Sequence, residues 1–232
     1  MRTSELSKIK VGVIIVAAGE SQRMKGVDKI MAPLGGKPVL AWSIEAFEEC
    51  PEVERIILVN SEKHLGPVKC LKIDRKWTKV ADVCTGGQRR QDSVAAGLKM
   101  LGRCEWVIIH DGARPLVSRD VIERGLQAVK ETGAAVAAVP VTDTIKAAGK
   151  DLTVIETPPR SHFWAVQTPQ IFRYAIIEEA YRQAKSDATD DAMLVERIGG
   201  KVKLYMGSYD NIKITTPHDL AVAEYLIKAI EQ

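Results

Sequence analysis

The stretch Val11-Gly12-Val13-Ile14-Ile15-Val16-Ala17-Ala18-Gly19 decides the fold. Val13 to Val16 form a continuous β-branched run with no polar alternation, the pattern of a strand buried on both faces. The run ends in small residues, where a backbone can approach a ligand closely and turn its amide N–H groups toward phosphate oxygens. Similar short apolar runs predict strands over 55–60, 80–84, 106–109 and 134–139. Between them, apolar residues recurring at three- and four-residue steps predict helices over 38–47, 62–75, 91–101 and 119–131. Alternating β and α elements imply right-handed crossovers into a mostly parallel, Rossmann-like sheet with helices on both faces, an α/β three-layer sandwich. In such sheets ligands sit beyond the carboxyl ends of the strands, near the point where strand order reverses.

One segment breaks the alternation. Residues 144–148 and 152–155, around the turn at Gly149, read as a hairpin that projects as an arm. A lone hairpin is marginal in water, so the arm needs a surface to pack on, and a second copy of the chain is the simplest one. Helices near 175–185 and 190–198, a strand over 202–205 and a closing helix from Pro217 complete a single domain over 1–232, with the dimerisation arm at about 141–164. Thr189 suits a helix N-cap, and Thr216-Pro217 reads as a cap followed by proline at the first helical position.

The composition narrows the class. An apolar fraction of 46% can fill one sizeable core, and the formal charge of +3 is spread along the chain, so a nucleic-acid partner is not expected. No apolar stretch approaches the roughly 20 residues of a membrane helix, and the polar first ten residues lack a secretory signal; the expectation is a cytoplasmic protein with no membrane partner. Cys50, Cys70, Cys84 and Cys104 form no Cys-x-x-Cys pair, and the four histidines form no two-His metal motif.

Three strand ends carry the chemistry. After the first strand, Ala17, Ala18 and Gly19 lead into Arg23, Lys25 and Lys29. This is not a dinucleotide fingerprint, since only its first glycine has an equivalent, and no Gly-Lys-Ser/Thr follows to make a P-loop. After the third, Gly86-Gly87-Gln88-Arg89-Arg90-Gln91-Asp92-Ser93 places two glycines where base edges could meet the main chain. After the fourth, His110-Asp111-Gly112-Ala113-Arg114-Pro115 sets an acid at a buried strand's end, suited to hold Mg²⁺ beside a triphosphate. Each segment alone also reads as an ordinary turn, a polar helix start or a loop salt bridge; their convergence is what points to a site.

In order along the chain, Ala-Ala-Gly…Arg-Met…Lys, Gly-Gly…Arg…Asp-Ser-Val, His-Asp-Gly-Ala-Arg-Pro, Thr-Asp-Thr-Ile-Lys, Gln167-Thr168-Pro169-Gln170, Thr189-Asp190-Asp191-Ala192 and Asn211-Ile212-Lys213-Ile214-Thr215 resemble the 2-C-methyl-D-erythritol 4-phosphate cytidylyltransferases over almost the whole length. The resemblance implies the nucleotide-diphospho-sugar transferase variant of the fold and a Mg²⁺-dependent reaction of CTP with methylerythritol phosphate, in non-mevalonate isoprenoid biosynthesis. It implies that Arg23, Lys29 and Lys213 stabilise the reacting phosphates and that Ala17, Ala18, Gly19, Gly86, Gly87, Arg90 and Ser93 border the nucleotide. Asp111 would engage metal and nucleotide. The acceptor would meet Arg114, Thr168 and Thr189, with Thr144 and Arg160 supplied by the arm of a homodimer partner. Where the family reads Pro-Lys-Gln around its loop lysine, this chain has Asp28-Lys29-Ile30, which makes Lys25 a second candidate for the role of Lys29. The rival readings are a ribitol 5-phosphate cytidylyltransferase and a non-catalytic nucleotide sensor. A sensor has no need to keep Arg23, Lys29, Asp111 and Lys213 together.

Overall fold

The computed structural model describes residues 10–19, Met24, Gly26 and residues 28–230. The decisive run is β1 (Val11–Ala17), and its parallel neighbours are β4 (Arg55–Asn60) on one side and β6 (Trp106–Asp111) on the other. Beyond β4 lies β5 (Val80–Thr85). Beyond β6 come β10 (Trp164–Arg173), β7 (Ala134–Pro140) and β11 (Lys203–Met206), giving the sheet order β11-β7-β10-β6-β1-β4-β5. From β1 the chain steps outward through β4 to β5, then returns to place β6 on β1's opposite flank. The strand order therefore reverses between β1 and β6, where a ligand crevice belongs.

Helices cover both faces, as the continuous apolar strands require. Val13 and Ile15 of β1 pack with Leu40, Ile44 and Phe47 of α1 (Val39–Glu48) and with Val121, Ile122 and Val129 of α4 (Arg119–Thr132). Ile14, pointing the other way, packs with Val94 and Leu98 of α3 (Arg90–Leu101), Ile177 of α5 (Tyr174–Gln183) and Leu194 of α6 (Asp191–Arg197). Burying each such aliphatic side chain is worth about 1.5–3 kcal/mol, so strand sequences apolar on both faces are stable only inside three layers.

Four expectations need correction. The helix expected over 62–75 is a 3-10 turn, Glu62–His64, followed by α2 (Leu65–Asp74). A two-stranded ribbon, β2 (Pro33–Leu34) with β3 (Lys37–Pro38), precedes α1 and was not foreseen. The larger omission is β10, the one antiparallel strand in the main sheet. Pro169 in its middle reads as a strand breaker, and the ladder to β7 does shift register between Val166 and Gln170, so the proline sits in the irregularity. The N-cap of α6 is Asp190, whose carboxylate accepts from the Met193 N–H, rather than Thr189; an ionised acid at a helix amino end beats a hydroxyl through the helix dipole.

The arm is present with shorter strands than expected, β8 (Ala147–Ala148) and β9 (Val154–Glu156). Its base is closed by Trp164 of β10 pairing with Pro140 of β7. The closing helix α7 (Pro217–Ile230) starts as read: Thr216 N–H donates to Asp219 Oδ2 at 2.8 Å, and Asp219 N–H lies 3.4 Å from Thr216 Oγ1. Among the described residues no helix is long and apolar enough to cross a membrane.

Candidate active site

At the switch point a cleft of about 170 Å³ is lined by Ala17, Gly19, Lys29, Arg90, Asp111 and Lys213, among others. Larger grooves of about 490 and 540 Å³ exist elsewhere, one at the amino ends of β1 and β6 and one beside Trp42. Size does not decide the matter. The small cleft alone of these three gathers the strand-end acid and the basic residues on which the sequence reading converged.

Asp111 is its electrostatic centre. Arg90 Nε lies 3.2 Å from Oδ1, while Lys213 Nζ and Arg114 Nε lie 2.8 and 3.6 Å from Oδ2. Burial alone would raise the carboxyl's pKa, but the charges of Arg90, Lys213 and Arg114 outweigh it and hold the group far below the usual carboxylate range. Three cations thus face one carboxylate, and Arg90 shares a second, Asp191, so Lys213 and Arg114 with Lys29 leave the cleft a surplus of positive charge.

Each cation is itself placed. Arg90 opens α3 and gives its Nη1 to Asp191 Oδ2 at 2.8 Å; Asp191, almost wholly buried, also accepts from the Tyr181 phenol at 2.5 Å. That leaves Arg90 Nη2 buried with no hydrogen-bond acceptor among the described residues. A guanidinium pinned by two carboxylates is held in one orientation at the cleft wall. Lys213 rides on a segment held at both ends: Ile214 N–H donates to Ala113 O at 2.8 Å, and Asn211 Nδ2 donates to Thr168 O at 2.8 Å. The Asn211 carbonyl in turn accepts from Arg114 Nη1 at 2.7 Å.

Beneath the cleft lies a hydrogen-bonded line. Asp111 N–H donates to Thr168 Oγ1 at 3.0 Å, Thr168 Oγ1 lies 3.1 Å from His110 Nδ1, and His110 Nε2 lies 3.1 Å from Arg114 O. A carbonyl only accepts, so Nε2 carries the proton and Nδ1 accepts from the threonine hydroxyl. Burial, the main cause, pushes the His110 pKa down to about 4, and the ring stays neutral.

The glycines turn out to serve the protein's own packing. A Cβ on Gly86 would lie 2.4 Å from Ala18 Cβ and 2.5 Å from Ser93 Oγ, and one on Gly87 would lie 2.3 Å from Asp92 Cβ. Close approach between chain segments therefore requires glycine at both positions. Gly87 and Ser93 line the cleft along with Gln88 and Arg89, to which the sequence reading gave no role.

Apart from Ala18 and Gly86, which lie against each other and do not line the cleft, the expected residues that the structure describes fall into three groups. Ala17, Gly19, Lys29, Gly87, Arg90, Ser93, Asp111 and Lys213 meet at the cleft, with Arg114 bonded at its edge. Thr168 is buried under the floor, its hydroxyl committed to Asp111 and His110. Thr144 and Arg160 are exposed on the arm, and Thr189 is exposed at the start of α6; none of these three lines the cleft. Arg23 and Lys25 lie outside the described residues. Among the described residues no cluster of three or more His, Cys, Asp or Glu could hold a metal by itself. Asp191, Tyr181 and Asn211 were missed as supports because their signal is spatial: Asp191 lies in the Thr189-Asp190-Asp191-Ala192 motif, but nothing in its neighbours points to Arg90.

Comparison with known proteins agrees with this geometry. A family model for 2-C-methyl-D-erythritol 4-phosphate cytidylyltransferase matches residues 11–229. The chain is 52% identical over 219 residues to such an enzyme from Dehalococcoides mccartyi, covering 94% of this chain and 96% of that one. It is 47% identical to one from Alkaliphilus oremlandii, covering 94% and 95%. Among solved structures, 4-diphosphocytidyl-2C-methyl-D-erythritol synthase from Anaerococcus prevotii superposes with a TM-score of 0.84 at 30% identity, covering 94% of this chain and 98% of that one. The Thermus thermophilus 2-C-methyl-D-erythritol 4-phosphate cytidylyltransferase superposes with a TM-score of 0.77 at 34% identity, covering 94% and 99%. With a cationic cleft at the strand switch and a family match over nearly its full length, the chain belongs to the 2-C-methyl-D-erythritol 4-phosphate cytidylyltransferase family, nucleotidyltransferases of isoprenoid biosynthesis.

Proposed function

We propose that the cleft around Asp111 is where this chain carries out its family's reaction, CTP and 2-C-methyl-D-erythritol 4-phosphate giving 4-CDP-2-C-methyl-D-erythritol and pyrophosphate. The observation that carries the assignment is the single carboxylate of Asp111 ringed by Arg90, Arg114 and Lys213, with Lys29 lining the same cleft.

A phosphate oxygen of the acceptor attacks the α-phosphorus of CTP in line, the bond to the bridging oxygen of the β-phosphate breaks, and pyrophosphate leaves with that electron pair. Negative charge grows on the equatorial and leaving oxygens, so the demand is for fixed cations rather than a nucleophile. Lys29 and Lys213, with Arg23 by resemblance, meet that demand. His110 is unsuited to proton transfer, being neutral, buried and bonded at both ring nitrogens. Ala17, Ala18 and Gly19 border the nucleotide together with Gly86, Gly87 and Ser93, and Arg90, which lines the same cleft, borders it too.

One carboxylate fits Mg²⁺ in the ion's usual manner, shared between a protein acid and substrate phosphates. Asp111 would hold it there, and the ion would supply neutralisation of triphosphate charge. The acceptor phosphate falls to Arg114, with Thr168 shaping the floor and Thr189 at the rim. Thr144 and Arg160 would come from the arm of a second copy. The arm's exposed Leu152, Val154 and Ile155, with Phe163 at its base, support a homodimer, since apolar groups so placed gain by covering one another. The four cysteines, none of them in a disulfide, suit the reducing cytoplasm.

The test is pyrophosphate release from CTP with methylerythritol phosphate, with ribitol 5-phosphate and with no acceptor. Release with the first and little with the others is the expected result. Release with ribitol 5-phosphate alone would move the chain to the rival acceptor, and no release with either would make it a nucleotide-binding protein.

A further inference from the structure

A second polar cluster lies outside the reaction site, at the end of β4. Ser61 Oγ is 2.9 Å from His64 Nδ1, His64 Nε2 is hydrogen-bonded to Asp28 Oδ2, and Lys63 Nζ is 3.2 Å from that same oxygen. His64 is only 7% exposed, so water competes little for its ring. The three residue types match a nucleophilic triad only in composition, because the ring is sunk in the fold and Lys63 occupies part of the acid.

What this cluster grips is the loop that carries Lys29. The other oxygen of Asp28, Oδ1, accepts from the Ile30 N–H at 3.2 Å, and Ile30 itself is buried in the core, its carbonyl accepting from Leu40 N–H at 3.0 Å. Lys29 therefore lies between two fixed points: Asp28, tied to the turn after β4, and Ile30, tied to α1. Its side chain lines the cleft. This is the place where the sequence departs from the family's Pro-Lys-Gln. Proline fixes its own φ, whereas aspartate leaves the backbone free, so here the rigidity has to come from contacts. An acid beside a phosphate-binding lysine also repels phosphate, and Lys63 stands where it offsets that charge. Burial raises the Asp28 pKa, but the hydrogen bonds and charge of Lys63 and His64 more than compensate, and the carboxylate remains ionised.

We propose that Ser61, Lys63 and His64 form a latch on Asp28 that positions Lys29 for the triphosphate, with His64 the central positioning residue. The proposal rests on the role given to Lys29 above.

Two measurements on the full chain test it. The first is a double-mutant cycle in kcat/KM for CTP. His64→Ala should cost about tenfold in the native background and less than about twofold in a Lys29→Ala background, because with the lysine gone there is nothing left to position. The second is hydrogen exchange at the Ile30 amide, followed by NMR, which should speed up by about tenfold or more in His64→Ala with the rest of the core still protected. Asp28→Ala, a change in the loop rather than in the packed turn, gives the same readouts should His64→Ala not fold. Equal kinetic losses in both backgrounds, or an unchanged Ile30 amide, would overturn the proposal. Failure of the catalytic reading itself is seen separately, as a native protein that releases no pyrophosphate or a Lys29→Ala variant with native kinetics.

Discussion

His110 Nδ1 and the hydroxyl of Thr168 lie 3.1 Å apart, both buried, in adjacent antiparallel strands beneath the cationic cleft. The same hydroxyl oxygen accepts the main-chain N–H of Asp111. One threonine thus satisfies two buried groups and sets the height of the residue on which the cleft is centred. Thr168→Val, nearly isosteric, should cost about 2–6 kcal/mol, because both groups lose their partner at about 1–3 kcal/mol each. Thr168→Ser, which keeps the hydroxyl, should cost about 1 kcal/mol. Urea denaturation of the two variants checks this, and equal losses would show that the hydroxyl does not matter.

The neutral state of His110 gives stability a pH dependence. Burial lowers the ring's pKa to about 4, whereas an unfolded chain takes up a proton at about 6.5. Between these values the unfolded state binds the extra proton, so stability falls as pH drops from about 6.5 to 4, by up to about 3 kcal/mol. Asp111 acts in the same sense but in a lower window: its depressed pKa gives stability that is present above about pH 4 and lost only below it. Denaturation midpoints at pH 7.5 and 5 should therefore differ, and the difference should shrink in a folded His110→Gln variant. If the native protein is equally stable at both pH values, the assignment is wrong.

Lys213 and Asp111 touch each other yet should fail differently. Lys213 is partly exposed, and its loss leaves Asp111 still facing Arg90 and Arg114, so Lys213→Ala should keep its fold and lose about 10²–10³ in kcat. Asp111→Asn leaves Lys213 and Arg114 facing a neutral amide and Arg90 with Asp191 alone, and should lose about 3 kcal/mol of stability as well as activity, with a raised Mg²⁺ requirement in whatever turnover remains. Thermal melts and Mg²⁺ titrations of both variants separate the cases. A Lys213→Ala protein that is unstable, or one with near-native kcat, would contradict the mechanism.

The arm makes a prediction about pairs of chains. Arg160 is exposed and far along the sequence from Lys213, its Nη1 bonded to Thr142 O at 2.6 Å within its own arm. If it serves the partner's site, inactive Arg160→Ala and inactive Lys213→Ala chains mixed one to one should recover about a quarter of native activity. Half the dimers would then be mixed, and one of the two sites in each would be intact. Mixed dimers that are shown to form and yet stay inactive would remove the arm from the site.

Much of this arrangement was legible in the chain because it is written in local patterns. Val13 to Val16 could only be an inner strand, and Asp111 at the end of another had to lie near the switch. What stayed hidden depends on distance or on context. Pro169 disguised β10, since a register shift that accommodates a proline leaves no local mark. Asp191 and Tyr181 support Arg90 across a gap of some ninety to a hundred residues, so their pairing follows from how α3, α5 and α6 pack, which periodicity does not encode. Gly86 and Gly87 were correctly seen as points of close approach, but sequence does not say whether the approaching atoms belong to a ligand or to Ala18, Ser93 and Asp92.

Because β10 runs against its neighbours, the chain leaves β7 at Pro140 and re-enters the sheet at Trp164 on the same rim where the parallel strands end, with those two residues paired. The intervening arm is thus a loop whose neck is already zipped shut. It can grow, shrink or be exchanged wholesale without disturbing any strand's register, much as a tool is changed in a fixed chuck. A change confined to that segment leaves the cleft at the strand switch, built on β1, β6 and α3, untouched.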